Sequence, residues 1–435
     1  MLTTIRNAWK TPELRKKILF TLLVLLLYRL GNAITVPFVD SAALQQTFDA
    51  MLATTALGFY NTLSGSAFSQ ATILALSIQP YINASIIIQL LTVAIPALER
   101  MSKEGGEEGK KMIERITRYT TVGLGLLMGV AYTVMLQNYT TQGYNILQGD
   151  LNFLHYAVIV LTFTAGSALV MWMGEQITQF GIGNGISMIL FANIISRLPQ
   201  TIMGLPGQVS SGSMPWWGLV IALVVMAALV LLIIFVNAAE RRIPVQYAKR
   251  VVGRKVYGGQ NTNLPIKVNM SGVMPVIFAQ SIATLPATIF AFTSVRKGVG
   301  FWGVMRSALD TDSWLYVALY AVLIFAFAYF YAAIQYDPVE MSNNLKKNGG
   351  FIPGFRPGKP TGDFIKKVIS KITLFGAIYL AIVCLLPVIG GMLIPGISSL
   401  SIGGTSVIIV VGVALETVQT LEAQMLMRHY KGFLE

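Results

Sequence analysis

The sequence predicts an all-α polytopic membrane protein with ten spanning helices, and three observations carry that prediction. The first is composition. Of 435 residues, 54% are hydrophobic and only 12% are charged, against roughly a quarter charged in a typical soluble domain; mean hydropathy is +0.64. So few charges cannot cover a soluble surface of this size. The balance excludes an ordinary cytoplasmic enzyme, a disordered chain and a nucleic-acid-binding domain with a lipid-free surface, and makes hydrocarbon one of the solvents. The second is repetition: apolar stretches of about 17–20 residues, the length that crosses a bilayer, recur at 18–37, 73–96, 119–138, 153–173, 182–203, 216–237, 271–293, 313–335, 372–394 and 402–422. The third is the placement of Lys and Arg. Residues 1–17, 97–118, 239–270, 336–371 and the tail hold 27 of the 32, and the alternate loops hold only Arg197, Arg296, Lys297 and Arg306, with Arg29 inside the first span. The positive-inside rule then puts the basic loops and both termini in the cytoplasm.

Taken in order, residues 1–17 set Ile5, Trp9 and Leu14 among basic residues, an imperfect pattern for an interfacial amphipathic helix. Span one starts too deep for a cleaved signal peptide and is followed by no small-residue cleavage site. A short segment at 60–72, "YNTLSGSAFSQAT", is too small and polar to cross, and irregular backbone at membrane depth survives only where protein or a water-filled cavity satisfies it. Spans two, five and seven are unusually polar, with Gln79, Asn83, Ser85 and Gln89, then "GIGNGIS", then Gln280 and Ser281; they should face a bundle interior. An N-terminal half at 18–203, an external hinge loop at 204–215 and a C-terminal half at 216–422 precede a cytoplasmic tail at 423–435. Ten spans divide as five plus five, which makes the halves inverted if they are related, although no internal repeat is visible. The 239–270 loop alternates apolar and basic residues around Gly253, as a protruding hairpin does. Pro and Gly punctuate the 336–371 loop into a turn-rich finger.

Chemistry-bearing residues are few. Cys384 is the only cysteine, so no intrachain disulfide or thiolate cage can form; His155 and His429 lie far apart. No metal or cofactor is expected. "GEEGKK" lacks the strand and glycine spacing of a phosphate loop, and no nucleophile elbow or catalytic carboxylate pair appears, so the chain reads as no enzyme. Arg29 either snorkels or pairs with a neighbouring polar group. Glu175 closes span four, and Glu416 lies near the cytoplasmic end of span ten. Ion or proton transport generally uses carboxylates at the midplane; none is placed there, which counts against a secondary transporter.

Several strings resemble the SecY family, the channel subunit of the bacterial protein translocase: "PYINASIIIQLL", "MWMGEQITQFGIGNGIS", "YAKR", "LPIKVNMSGVMPVIFA", "FIPGFRPG" and "GGTS". They fall in the family's order over about the whole chain. The resemblance implies two inverted five-helix halves around an hourglass pore in the bacterial inner membrane. It also implies SecE and SecG subunits, and docking of the SecA motor or the ribosome, with its RNA, on the basic loops. Clients would be signal sequences and unfolded polypeptides, and membrane segments would leave sideways into the lipid bilayer.

Carried over by motif, the pore ring is Ile82, Ile86, Ile186, Leu190, Ile277 and Ile409, an apolar neck that dewets and so resists ions. The plug is Asn61, Thr62, Leu63, Ser64, Gly65, Ser66, Ala67, Phe68, Ser69 and Gln70, whose weak apolar content suits an element that must leave its seat. A lateral gate lies between spans two and seven, with Asn83, Ser85, Gln89 and Thr92 expected to bond across the seam to Gln280, Ser281 and Thr284. Lys249, Arg250, Arg254 and Lys255 at one loop tip, and Arg356 between Pro353 and Pro357 in the other, would dock partners; the phosphates of ribosomal RNA suit such cations. A secondary transporter, or a scaffold that inserts membrane proteins without a pore, are the competing readings. The missing midplane carboxylates and the plug segment speak against them.

Overall fold

The computed structural model describes residues 6, 8–45, 57–103, 105–141, 146–148, 152–212, 215–247, 250–252, 255–257, 261–270, 272–292, 300–310, 313–393 and 404–431. Among them, seven helices are by themselves long and apolar enough to cross a membrane. They are span three (Gly106–Thr141), span four (Phe153–Phe180), span five (Gly185–Ser210), span six (Trp216–Ala238), span eight (Trp314–Gln335), span nine (Lys359–Leu393) and span ten (Gly404–Lys431). Span one (Pro12–Gly31) and span seven (Met274–Phe292) are helices where the sequence expects them. Span one opens on a proline at its first turn, with Glu13 there and Arg29 in its last turn, the arrangement that suits the helix dipole. Span two is Gln79–Ala94, followed by a helix from Pro96 that bends away by 104°.

Several boundaries differ from expectation for physical reasons. Span two does not begin at 73: residues 65–78 form turns, and helix starts only at Gln79. This irregular backbone is satisfied by protein. The Val36 amide donates to the Ala71 carbonyl at 3.0 Å, and the Ile73 amide to the Ile34 carbonyl at 2.9 Å. It also passes so close to span four that a Cβ on Gly166 would lie 1.7 Å from the Ile73 carbonyl oxygen, so only glycine fits there. Spans three and nine begin at Gly106 and Lys359, not at 119 and 372, because polar helix continues below the apolar stretch. The expected hinge loop at 204–215 is largely helix, since span five runs on to Ser210 despite Pro199 and Pro206. At the N-terminus, Ala8 and Leu14 are buried with Ile182 and Leu421, so this segment packs on protein.

Packing separates two sets. Span four touches spans one, three and five, and span two touches span three; span eight joins spans seven and nine, and span nine joins span ten. The sets meet along two seams. Span seven lies against spans two and three, and spans six and ten close on span five.

The two basic loops form one platform. Strand β1 (Glu240–Tyr247) pairs antiparallel with β4 (Asn261–Lys267), Ile243 opposite Leu264, as the hairpin reading expects. Strands β2 (Arg250–Val252) and β3 (Lys255–Tyr257) pair nearer the tip. The other loop is not a finger of turns: helix Pro338–Lys347 and the start of span nine flank a short turn, and β5 (Gly350–Phe351) pairs with the far end of β1. Alternation in β1 sends Ile243 and Val245 inward, where they bury with Ile266, Ile352, Ile365 and Ile369.

The close approach at Gly166 yields a first prediction. Gly166→Ala should lower the thermal unfolding midpoint of the purified protein, at an overpacking cost of about 1–3 kcal/mol. Gly204→Ala, on a helix with nothing within 4 Å of the added carbon, should leave the midpoint unchanged or raise it.

Candidate functional site

The helices enclose a cavity of about 1390 Å³ that opens towards the basic loops. Spans two, three, five, seven, eight and ten supply its walls, and Leu190, Ile277 and Ile409 lie at its lining. Ile82, Ile86, Leu190, Ile277 and Ile409 belong to one buried apolar cluster. Ile186 is half-buried at the edge of that cluster, near Gly174 of span four, and with Ile82 and Ile86 it does not line the cavity. The walls also carry Glu99, Glu114, Asp337, Glu340 and Glu416 against Lys267, an acidic lining inside a basic rim. Glu175 does not reach this cavity; it bonds Arg118 of span three at 2.8 Å.

Above the floor sits the segment expected to be a plug. It starts earlier than expected, as helix Leu57–Ser64, and continues in turns through Gln70. It is not weakly seated. Leu63 is 1% exposed and Phe68 3%, worth about 1.5–3 kcal/mol each by apolar burial; Leu63 joins the same cluster as the ring residues, and Phe68 stacks on Tyr132 with centroids 4.5 Å apart. Internal bonds fold the segment: the Phe68 and Ser69 amides donate to Ser64 Oγ and Asn61 Oδ1, both at 3.0 Å. Ala67 is buried, whereas Gly65, Ser66 and Gln70 are partly exposed.

The seat is polar where the segment is polar. Asn193 of span five is fully buried, and its Nδ2 donates to the Leu63 carbonyl at 2.6 Å and to Tyr28 Oη at 2.9 Å, with Ser77 Oγ at 3.3 Å. Arg197 donates to Thr62 Oγ1 at 3.0 Å. Arg29 donates to the Ala192 carbonyl, so it pairs with a neighbour and does not snorkel. Gly65 has φ +65°, and a Cβ there would meet Arg29 Nη1 at 2.8 Å and Asn193 Oδ1 at 3.0 Å. Glycine at this turn lets the backbone rest directly on the cradle.

The seam between spans two and seven departs from expectation. Its two glutamines do not bond between spans two and seven; both turn to tyrosines of span eight. Gln280 donates to Tyr316 Oη at 2.8 Å, and Tyr331 donates to Gln89 Oε1 at 3.2 Å. Ser85 and Thr92 bond within span two, and the Thr284 hydroxyl donates to carbonyls of its own helix. Ser281 Oγ is buried with no partner, and Asn83 is half-buried. A tyrosine offers one polar atom at the end of a long ring, which reaches over a helix that two shorter side chains cannot.

On the platform, Arg356 is exposed in a turn pinned from both sides. Thr361 donates to the Arg356 carbonyl at 2.8 Å, Ser342 to the Gly358 carbonyl at 2.7 Å, and Phe355 stacks on Phe364 at 4.2 Å. Arg250 and Lys255 start β2 and β3; Lys249 and Arg254 lie outside the described residues.

Comparison with known proteins identifies the family and the fold. The SecY family model matches residues 72–418. The chain belongs to the SecY family. A protein translocase subunit SecY of Streptomyces scabiei is 44% identical over 441 residues, covering all of both chains. Among solved structures, a SecY channel whose plug domain stabilises the closed state and maintains a membrane seal superposes with TM-score 0.64 at 18% identity, covering 94% of this chain and 92% of that one. Sec61 from a canine ribosome–channel complex gives TM-score 0.62 at 17% identity, with the same coverage. At these identities the solved structures show the fold of this SecY-family chain.

Sequence reasoning missed Asn193, Tyr28, Ser77 and Tyr331. Asn193 was findable: an amide in the interior of an apolar span is costly unless it meets a partner. Asn193→Leu should speed amide hydrogen exchange across residues 61–69. Losing a buried hydrogen bond costs about 1–3 kcal/mol, which corresponds to exchange roughly five- to a hundredfold faster.

Proposed function

We propose that this chain is the protein-conducting channel of a bacterial protein translocase, passing unfolded polypeptides through the apolar floor between funnel and plug. One observation carries the reading: an apolar floor of branched side chains separates a large funnel, whose walls carry Glu99, Glu114, Asp337, Glu340 and Glu416, from a folded segment seated on the other side. A water-filled funnel guides a chain, an apolar neck of branched side chains holds back ions by dewetting, and the plug covers the neck at rest. Relatives 41–44% identical over their full length are protein translocase subunits SecY, and a solved relative uses its plug domain as a membrane seal.

The same reading places the basic platform in the cytoplasm of a bacterial inner membrane, with both termini there. SecE and SecG accompany the chain, and SecA or the ribosome docks on the platform and supplies the energy. A ribosome-bound relative supports that docking. Signal sequences and membrane segments leave through the seam where span seven meets spans two and three. Opening that seam breaks the Gln89–Tyr331 bond, and membrane hydrogen bonds average only about 0.6 kcal/mol.

Replacing Leu190, Ile277 and Ile409 together with Asn should raise resting ion conductance in planar bilayers; an unchanged current would overturn the floor as the seal. Arg356→Glu should abolish motor-driven transport of a secretory precursor while the channel still inserts and folds. The turn is already fixed by Thr361 and Ser342, so little ordering entropy opposes docking; transport near wild type would remove Arg356 from the contact.

A further inference from the structure

Between spans seven and eight, a nine-residue helix, Gly300–Ala308, does not cross the bundle. Span seven starts directly after β4 on the basic platform and span eight ends beside helix Pro338–Lys347, so this helix stands at the opposite membrane face. It packs on both spans, with Trp302 6.4 Å from Phe290 of span seven by ring centroids.

At about 100° per residue, Phe301, Trp302, Val304 and Met305 fall within one arc of roughly 160°. They are 74%, 61%, 61% and 40% exposed. Gly303, on the other side, is buried, and Ser307 faces away from the apolar arc. Such a face in water would be an unusual apolar patch. It adjoins surface that is already lipid-facing: Leu285 and Ile289 stand exposed on span seven, and Trp314 and Leu315 at the start of span eight. Trp and Phe at that level match the interfacial belt of a bilayer. Three of the four cations in the alternate loops, Arg296, Lys297 and Arg306, fall in this connection, and with Asp310 and Asp312 they leave it net positive, which suits anionic lipid headgroups.

We propose that Gly300–Ala308 is an interfacial helix lying in the plane of the membrane, with Phe301, Trp302, Val304 and Met305 among the acyl chains of the leaflet opposite the basic platform. It fastens the end of span seven to that lipid surface.

The test uses the full-length chain, with the subunits it purifies with, in liposomes of phosphatidylethanolamine and phosphatidylglycerol. Cys384 is buried, so a spin label can be directed to Val304→Cys or Ser307→Cys, both at exposed positions. Power saturation should show the label at 304 more accessible to oxygen than to a water-soluble nickel chelate, and the label at 307 the reverse. A label at 304 that the chelate reaches as readily as at 307, or one shielded from both reagents by another protein, would overturn the proposal. On unlabelled protein, lipids brominated near the carbonyl end should quench less tryptophan emission in Trp302→Tyr than in the parent; equal quenching would also count against it.

Discussion

The backbone between Gly65 and Ile78 crosses membrane depth without forming helix, and the rest of the architecture answers to it. Each peptide group there would cost several kcal/mol if left unbonded in hydrocarbon. The protein meets that demand with its own groups. Backbone bonds tie Ile34 and Val36 to Ile73 and Ala71, and Tyr132 donates to the Phe68 carbonyl. Ser66, Ala71 and Ser77 take left-handed backbone conformations, which residues other than glycine seldom adopt. Ser77 is held in place by Tyr28 and Asn193. Gly166 supplies the clearance on span four without which the segment could not enter.

That inserted segment divides the interior. On its side, small polar groups meet a polar seat of Asn193, Arg197 and Arg29. Beneath it, branched apolar side chains close the floor, and Leu63 reaches down into their cluster. Displacing the segment therefore exposes Leu63 and Phe68 and breaks several bonds together. Small polar composition had suggested a loose element, but composition does not count contacts. Seating follows from what surrounds the segment, and here nearly every side receives a partner.

The side carrying the basic loops obeys a different logic. Strands from two loops separated by spans seven and eight share one sheet, and their isoleucines share one small core. Joining them holds the exposed Arg356 turn and the hairpin strands in a fixed relation, one surface instead of two independent loops. The acidic funnel wall inside this basic rim adds a change of sign along the path of an entering chain.

The sequence by itself determined the membrane class, the apolar spans and the loops that carry the cations, while the neck residues came only from the resemblance of its motifs to the SecY family. The first three are properties of runs and counts: hydrocarbon thickness sets helix length, and hydropathy and charge bias read it directly. It also marked 60–72 as unable to cross. Only the tertiary structure decided where span two begins, that spans three and nine extend as polar helix, and that the two loops form one sheet. It alone decided that Gln89 and Gln280 turn to Tyr331 and Tyr316 of span eight, and that Asn193 bonds the segment at 57–70. Those facts depend on which residues from distant spans come within about 3 Å of one another. Hydropathy carries no record of such pairs, because an amide in a helix reads the same whether it bridges a seam or turns to a tyrosine behind it.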